Sequence, residues 1–224
     1  MGTARTRSRV PSRYSDPVSD AVRRDTIAAR RAAAATEERA RRRQLIVEAA
    51  ARVIEEYGTD TGLNVVADRA GLPRPHVYRH FTGKEDLDQA VARHAARLLS
   101  AWIRPSLSAP GTPPEVVYAI IGRVLSWAVA HPNLYRFRAR LGTAQAVPEL
   151  ADAAVVNLRA AGYDAQLPAY VVAGVVGMVD AGIIWWFDHR DETGLDQLND
   201  WLAAQVWRVV AEALGQPPAA TPAP

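Results

Sequence analysis

Two apolar stripes, each too short to stand as an independent helix, flank a tight turn in the first half of this chain. Leu63, Val66, Ala67 and Ala70 follow an i, i+3, i+4, i+7 spacing, about two turns of helix. Gly71-Leu72-Pro73 follows, and Val77 and Phe81 then lie one turn apart on a segment running from Arg74 to Phe81. Isolated helices shorter than about 12–15 residues are marginal in water, so both segments must be held by packing. Pro73 and Pro75 are tolerable only at the start of the second helix, where amide hydrogens lack intrahelical partners anyway. The pattern predicts a helix-turn-helix. The first helix packs across, Gly71 lets the chain reverse, and the second helix presents its outward N-terminal side chains to a major groove.

The remaining periodicity is helical too. Ile46, Ala50, Val53, Ile54 and Tyr57 form an earlier stripe, with Gly58 as its stop. Leu87, Val91, Ala95, Leu98 and Trp102 mark a fourth helix, expected to end at Pro105. Ser106 to Pro114 reads as a linker. Further helices are expected over 114–131, 133–141, 148–161, 167–189 and 195–214, and no strand-like alternation bounded by turn signals appears. The expected class is all-α. A helix-turn-helix DNA-binding domain occupies 39–90, its fourth helix continuing to about 105, and a helical domain occupies 106–214. Residues 1–25 are expected to be disordered and 26–43 helical without an apolar stripe, so that 1–38 form a disordered or partly helical basic arm. The proline-rich tail, 215–224, is expected to be disordered.

Charge separates these regions. Residues 1–43 carry 12 arginines against 5 acidic residues, whereas 106–224 carry 7 basic and 11 acidic residues. This asymmetry predicts a polyanion partner on the N-terminal side. Arg39, Arg41, Arg42 and Arg43 stand directly before the first stripe. On the second helix of the motif the outward residues are Arg74, His76, Tyr78, Arg79 and His80. Arginine can read guanine through two hydrogen bonds, while Tyr, His and Lys suit phosphate oxygens, which set register rather than sequence.

The motif resembles that of the TetR family of bacterial transcriptional regulators. The residues that carry the resemblance are Gly58, Val66-Ala67-Asp68-Arg69-Ala70-Gly71, Val77-Tyr78-Arg79-His80-Phe81 and Lys84-Glu85-Asp86-Leu87. The resemblance covers 45–90; beyond Pro105 only length and helical character agree. It implies that Val77 and Phe81 are core and that Arg74, Pro75 and His76 face bases. Tyr78, His80 and Lys84 would hold phosphates, with Thr61 at the start of the second helix. The sequence departs from the family at Pro73 and Gly62, where hydroxyl residues usually stand, and the Arg-rich arm is expected to compensate.

The resemblance also implies a ligand-binding and dimerisation role for 106–214, and thus a cytoplasmic repressor that binds a pseudo-palindromic operator as a homodimer. An apolar or aromatic small-molecule effector would release it. Ala173, Gly177 and Ala181 recur every fourth residue, and Trp201, Val206 and Val209 lie on the last helix, which makes these two helices the candidate dimer surface. The expected effector site is aromatic, drawn from Trp102, Tyr118, Trp127, Phe137, Tyr170 and Trp185, with His131 and Asp180 as orienting polar groups. An unpaired Asp180 would suit a cationic or hydroxylated ligand.

Other classes find less support. The absence of cysteine excludes thiolate metal sites, disulfides and a cysteine nucleophile. No HExxH, Walker A or GxSxG pattern occurs, and no cofactor or metal is expected. Leu167 to Phe187 is long and apolar enough to span a bilayer, with Asp180 as its one charge, and would serve a helical membrane-associated protein. It is read instead as a central helix buried all round. A helical small-molecule enzyme remains the other alternative.

Overall fold

The computed structural model describes residues 17–58, 63–69, 71–141, 147–164 and 166–215; the side chains of residues 17–25, Leu63, His76 and Glu149 lie outside the description. The described residues are helical throughout, without strands. In chain order the helices are α1 (Pro17–Tyr57), α2 (Leu63–Arg69), α3 (Arg74–His80), α4 (Lys84–Leu107), α5 (Pro113–Ala130), α6 (Pro132–Leu141), α7 (Val147–Ala160), α8 (Ala169–Asp188) and α9 (Leu195–Ala213).

The chain divides into two compact units, residues 1–44 and 45–224. The described part of the first, residues 17–44, is the N-terminal part of α1. Helix begins at Pro17, so residues 17–25 are helical rather than disordered as expected. Alanine-rich sequence has the highest intrinsic helix propensity, which suits a segment with no apolar stripe. The expected disorder of residues 1–16 and of 216–224 lies outside the described residues.

The second unit is built on one connected core that runs from Ile46 to Val210. α5 packs on α4 and α9, α8 on α7 and α9, and α4 also meets α6 and α7. α4 serves both ends of this core: Leu87, Val91 and Ala95 sit near its start, and Leu99 and Ile103 further along. The expected stripe drifts one residue in its second half, since Leu98 and Trp102 are exposed and Leu99 and Ile103 are buried. Successive steps of four slightly overshoot a 3.6-residue turn, so a step of four from Ala95 to Leu99 to Ile103 still stays within the wide apolar face. α4 also runs through Pro105 to Leu107 instead of stopping. A proline one turn from a helix end removes only one internal hydrogen bond, and burial of Ile103 and Ser106 holds that turn.

The linker before α5 is correspondingly short. Thr112 is the N-cap: its N–H donates to Glu115 Oε2 at 2.7 Å, and its hydroxyl donates to the same oxygen at 2.9 Å. Pro113 and Pro114 occupy the first turn, where no amide hydrogen is needed. The Thr112 amide and then its hydroxyl hold the Glu115 carboxyl below the ordinary glutamate value. α8 is not buried all round. Val172, Val179, Ile183, Trp186 and Phe187 face the core, whereas Tyr170, Ala173, Gly177, Ala181 and Trp185 are exposed along its other face.

Candidate DNA-binding surface and effector cavity

The turn between α2 and α3 is a Schellman-type stop. Gly71 has φ of +63°, a left-handed conformation that a Cβ would strain. The Gly71 N–H donates to the Asp68 carbonyl at 3.2 Å and the Leu72 N–H to the Ala67 carbonyl at 3.1 Å. Val66, Ala67, Val77 and Phe81 are buried, which fixes the rotation of both short helices. α3 consequently exposes Arg74, Pro75, Tyr78 and Arg79, with His80 half-buried beside them. Tyr78 is 56% exposed, with its ring open to solvent beside Arg74 and Arg79 on α3. Arg74 reaches only a long 4.0 Å contact with Asp68 and keeps its donors available. Arg69 is different: it binds both oxygens of Glu56 at 2.7 and 2.8 Å and also donates to the Tyr57 hydroxyl, tying α2 to α1.

Lys84 opens α4, half-exposed, with its ammonium 2.6 Å from Asp88. Of the other residues expected here, Thr61 lies outside the described residues, and His76 is on α3 with its side chain outside them. Arg39, Arg41, Arg42 and Arg43 belong to the first unit. There Arg42 and Arg41 bind Glu38 at 2.6 and 3.3 Å, and the Arg42 hydrogen bond leads in holding the Glu38 carboxyl below its ordinary value.

A cavity of about 410 Å³ lies between α4, α5, α7, α8 and α9, with Arg138 of α6 also on its wall. Its wall is aliphatic, with Leu99, Ile103, Val117, Ile120, Val176 and Val206 prominent and Trp207 its one aromatic among the described residues. Of the residues expected to form an effector site, only Asp180 is on this wall. Trp127 and Phe137 are core residues away from the cavity. His131 is half-buried at the end of α5, its ring 5.0 Å from that of Trp127. Tyr118 and Tyr170 are exposed, the latter at 77%. Trp102 is exposed and donates to Ser126 Oγ at 3.2 Å. Trp185 stacks on His189 at 4.1 Å on the outer face of α8. A helical aromatic falls inward or outward by its rotation about the axis, and here the cavity-facing positions are aliphatic.

Asp180 does line the cavity, but it is already paired. Its Oδ1 accepts from the Tyr135 hydroxyl at 2.6 Å and from Arg138 Nη2. The Arg138 guanidinium also lies 4.7 Å from the Tyr135 ring centroid. Burial, reinforced by the Asp180 charge, pushes the Tyr135 hydroxyl well above its ordinary pKa, so it stays a donor. With its charge balanced, Asp180 no longer calls for a cationic ligand. Arg138 escaped the sequence reading, although an arginine one turn beyond Leu134 and adjacent to Phe137 breaks the apolar face of α6 and signals a buried partner.

A helix-turn-helix, α2 and α3, is thus joined through α4 to a hollow all-α body. Residues 46–91 match the family model described as bacterial regulatory proteins, tetR family. No curated protein matches the sequence. Solved structures share the fold. A TetR-like transcriptional regulator from Rhodococcus sp. RHA1 superposes with a TM-score of 0.54 at 20% identity, covering 76% of this chain and 96% of that one. RolR in complex with resorcinol gives 0.59 at 16% identity, covering 82% and 97%. The transcriptional regulator FadR from Bacillus subtilis in complex with stearoyl-CoA gives 0.54 at 16%, covering 75% and 97%.

Proposed function

We propose that this chain is a cytoplasmic repressor that binds a pseudo-palindromic operator as a homodimer and leaves it when an apolar small molecule occupies the cavity. The observation that carries this reading is the exposed Arg74, Pro75, Tyr78 and Arg79 on a recognition helix whose next neighbour, α4, also lines the cavity. Arg74 and Arg79 would read or approach bases, and Tyr78, His80 and Lys84 would hold phosphates, the latter exchanging Asp88 for the backbone. Arg39, Arg41, Arg42 and Arg43 add phosphate contacts. Each phosphate neutralised should steepen the salt dependence of log K by about 0.9.

A single helix-turn-helix reads few base pairs, and two related by a dyad read half-sites about 34–36 Å apart. The exposed apolar face of α8 supports a partner copy there. Tyr170, Ala173, Gly177, Ala181 and Trp185 are exposed on α8, and Trp201 on α9 is 54% exposed. A Cβ built on Gly177 meets nothing within 4 Å. Val206, expected on that surface, is buried and lines the cavity, so Trp201 and Val209 remain from α9. α8 is also the one described helix long and apolar enough to cross a membrane. The Arg138–Asp180 pair and its packing on α7 and α9 favour the dimer over lipid. The ligands of RolR and FadR support a small-molecule effector here.

The test is selection of source-genome fragments with purified protein at near-physiological salt. Enrichment of one palindromic motif in a few promoters is expected. Uniform retention of all fragments would mean phosphate binding without base reading, and would overturn the operator claim.

A further inference from the structure

We infer that the cavity takes a neutral, chain-like aliphatic molecule whose hydrogen-bond acceptor, a hydroxyl or ketone oxygen, seats against the Nε–H of Arg138; this rests on reading the cavity as the effector site. Its two ends differ. Pro110 and Gly111, before α5, and Ala160 and Ala161, at the end of α7, are exposed and form a mouth. Arg138, only 4% exposed, and Asp180 lie at the inner end, beside Val124 and Val179. The lining of α5 runs from Pro113 to Val124, a rise of about 16 Å. A passage of that length with valine, leucine and isoleucine walls fits an extended alkyl chain better than a flat ring.

The inner end selects the head group. Arg138 Nε is buried without a hydrogen-bond partner among the described residues, while Nη2 of the same guanidinium donates to Asp180. A buried donor left unpaired is costly, and an acceptor brought by a ligand removes that cost. Arg138 and Asp180 are the charged residues on the wall among those described, and they balance each other. A carboxylate brought to Arg138 would place a second negative charge beside Asp180, which disfavours its ionised form. An ammonium group would lose its water shell facing a carboxylate whose charge Arg138 already balances. A hydroxyl or carbonyl incurs neither penalty.

The experiment is calorimetric titration of the full chain at neutral pH with decanol, methyl octyl ketone, decanoate and decyltrimethylammonium. The two neutral compounds should bind at least about tenfold more tightly than either ion. Arg138→Lys keeps a cation beside Asp180 but lacks the Nε–H, and should cost the ketone up to about tenfold while leaving the circular dichroism unchanged. Val176→Trp fills the passage and should abolish binding of all four. Decanoate binding as tightly as decanol, or unchanged ketone affinity in Arg138→Lys, would overturn the inference while leaving the cavity as the effector site. Failure of every compound to bind, or full binding by Val176→Trp, would remove the effector-site reading itself and the inference with it.

Discussion

On the proposed operator, Arg74 stands at the point where base recognition and phosphate contact part company. It opens α3, its one ion-pair partner among the described residues is the distant Asp68, and arginine offers the fork that guanine accepts. Arg74→Ala should lose about 1–3 kcal/mol at one base pair of each half-site and relax preference there. Tyr78→Phe should weaken binding to every operator variant alike. Titrating both variants against single-base operator changes separates the two roles, and a uniform loss in Arg74→Ala would assign it to phosphate. A second residue-scale effect is pH. His94, on α4, is held below the ordinary histidine value mainly by burial and then by Arg97, with Glu48 opposing. Its folded form prefers the neutral ring, so its contribution to stability is complete above the ordinary value and declines as pH falls through the depressed one. Thermal melts across that range should show a decline that His94→Gln lessens. Equal slopes would remove His94 from the account. Residues such as Val77 and Phe81 were legible because a two-turn helix has room for only one inward face. Arg138 was not, because its partner Asp180 lies 42 positions on and no local period links them.

At the scale of the element, caps and stops decide boundaries. The Thr112-Pro113-Pro114-Glu115 run is a capping box with both prolines inside the first turn, so prolines that read as linker instead begin a helix. Thr112→Ala should lower the melting temperature at neutral pH. The depressed Glu115 contributes stability above its unfolded value and loses it as pH falls through the folded one, so the deficit should shrink in acid. A constant deficit across pH would mean the Glu115 arm of the box is idle. Helix positions were otherwise legible to within a residue or two at most ends, as for α6 and α9, because their stripes are long and their stops are proline or glycine. Orientation about the axis was less so. The wall of the cavity came from aliphatic positions whose facing depends on how five helices cross, and no single stripe encodes that.

At the scale of the whole molecule, two faces of α8 have different fates. Val172, Val179 and Ile183 are in the core, while the opposite stripe ends at Trp185, 46% exposed and stacked on His189. If two copies pair through α8 as proposed, Trp185→Glu should leave helix content intact, shift the mass in solution from dimer to monomer, and reduce operator affinity in step. A dimer that persists would move the interface elsewhere. The sequence pattern suggested the small-residue stripe but not its exposure, since an apolar helix reads the same whether buried all round or on one side. One joint between the DNA-reading end and the body also has consequences. The Glu55 carboxylate accepts the Leu134 N–H at 3.0 Å, and the Glu55 carbonyl accepts from Asn133 Nδ2 at 2.9 Å. The start of α6 is therefore capped by a residue of α1, far away in the chain. A chimaera that grafts residues 45–107 onto a foreign helical body would have to keep two side chains, Glu55 for the Leu134 amide and Asn133 for the Glu55 carbonyl, each reaching across to the other segment's backbone.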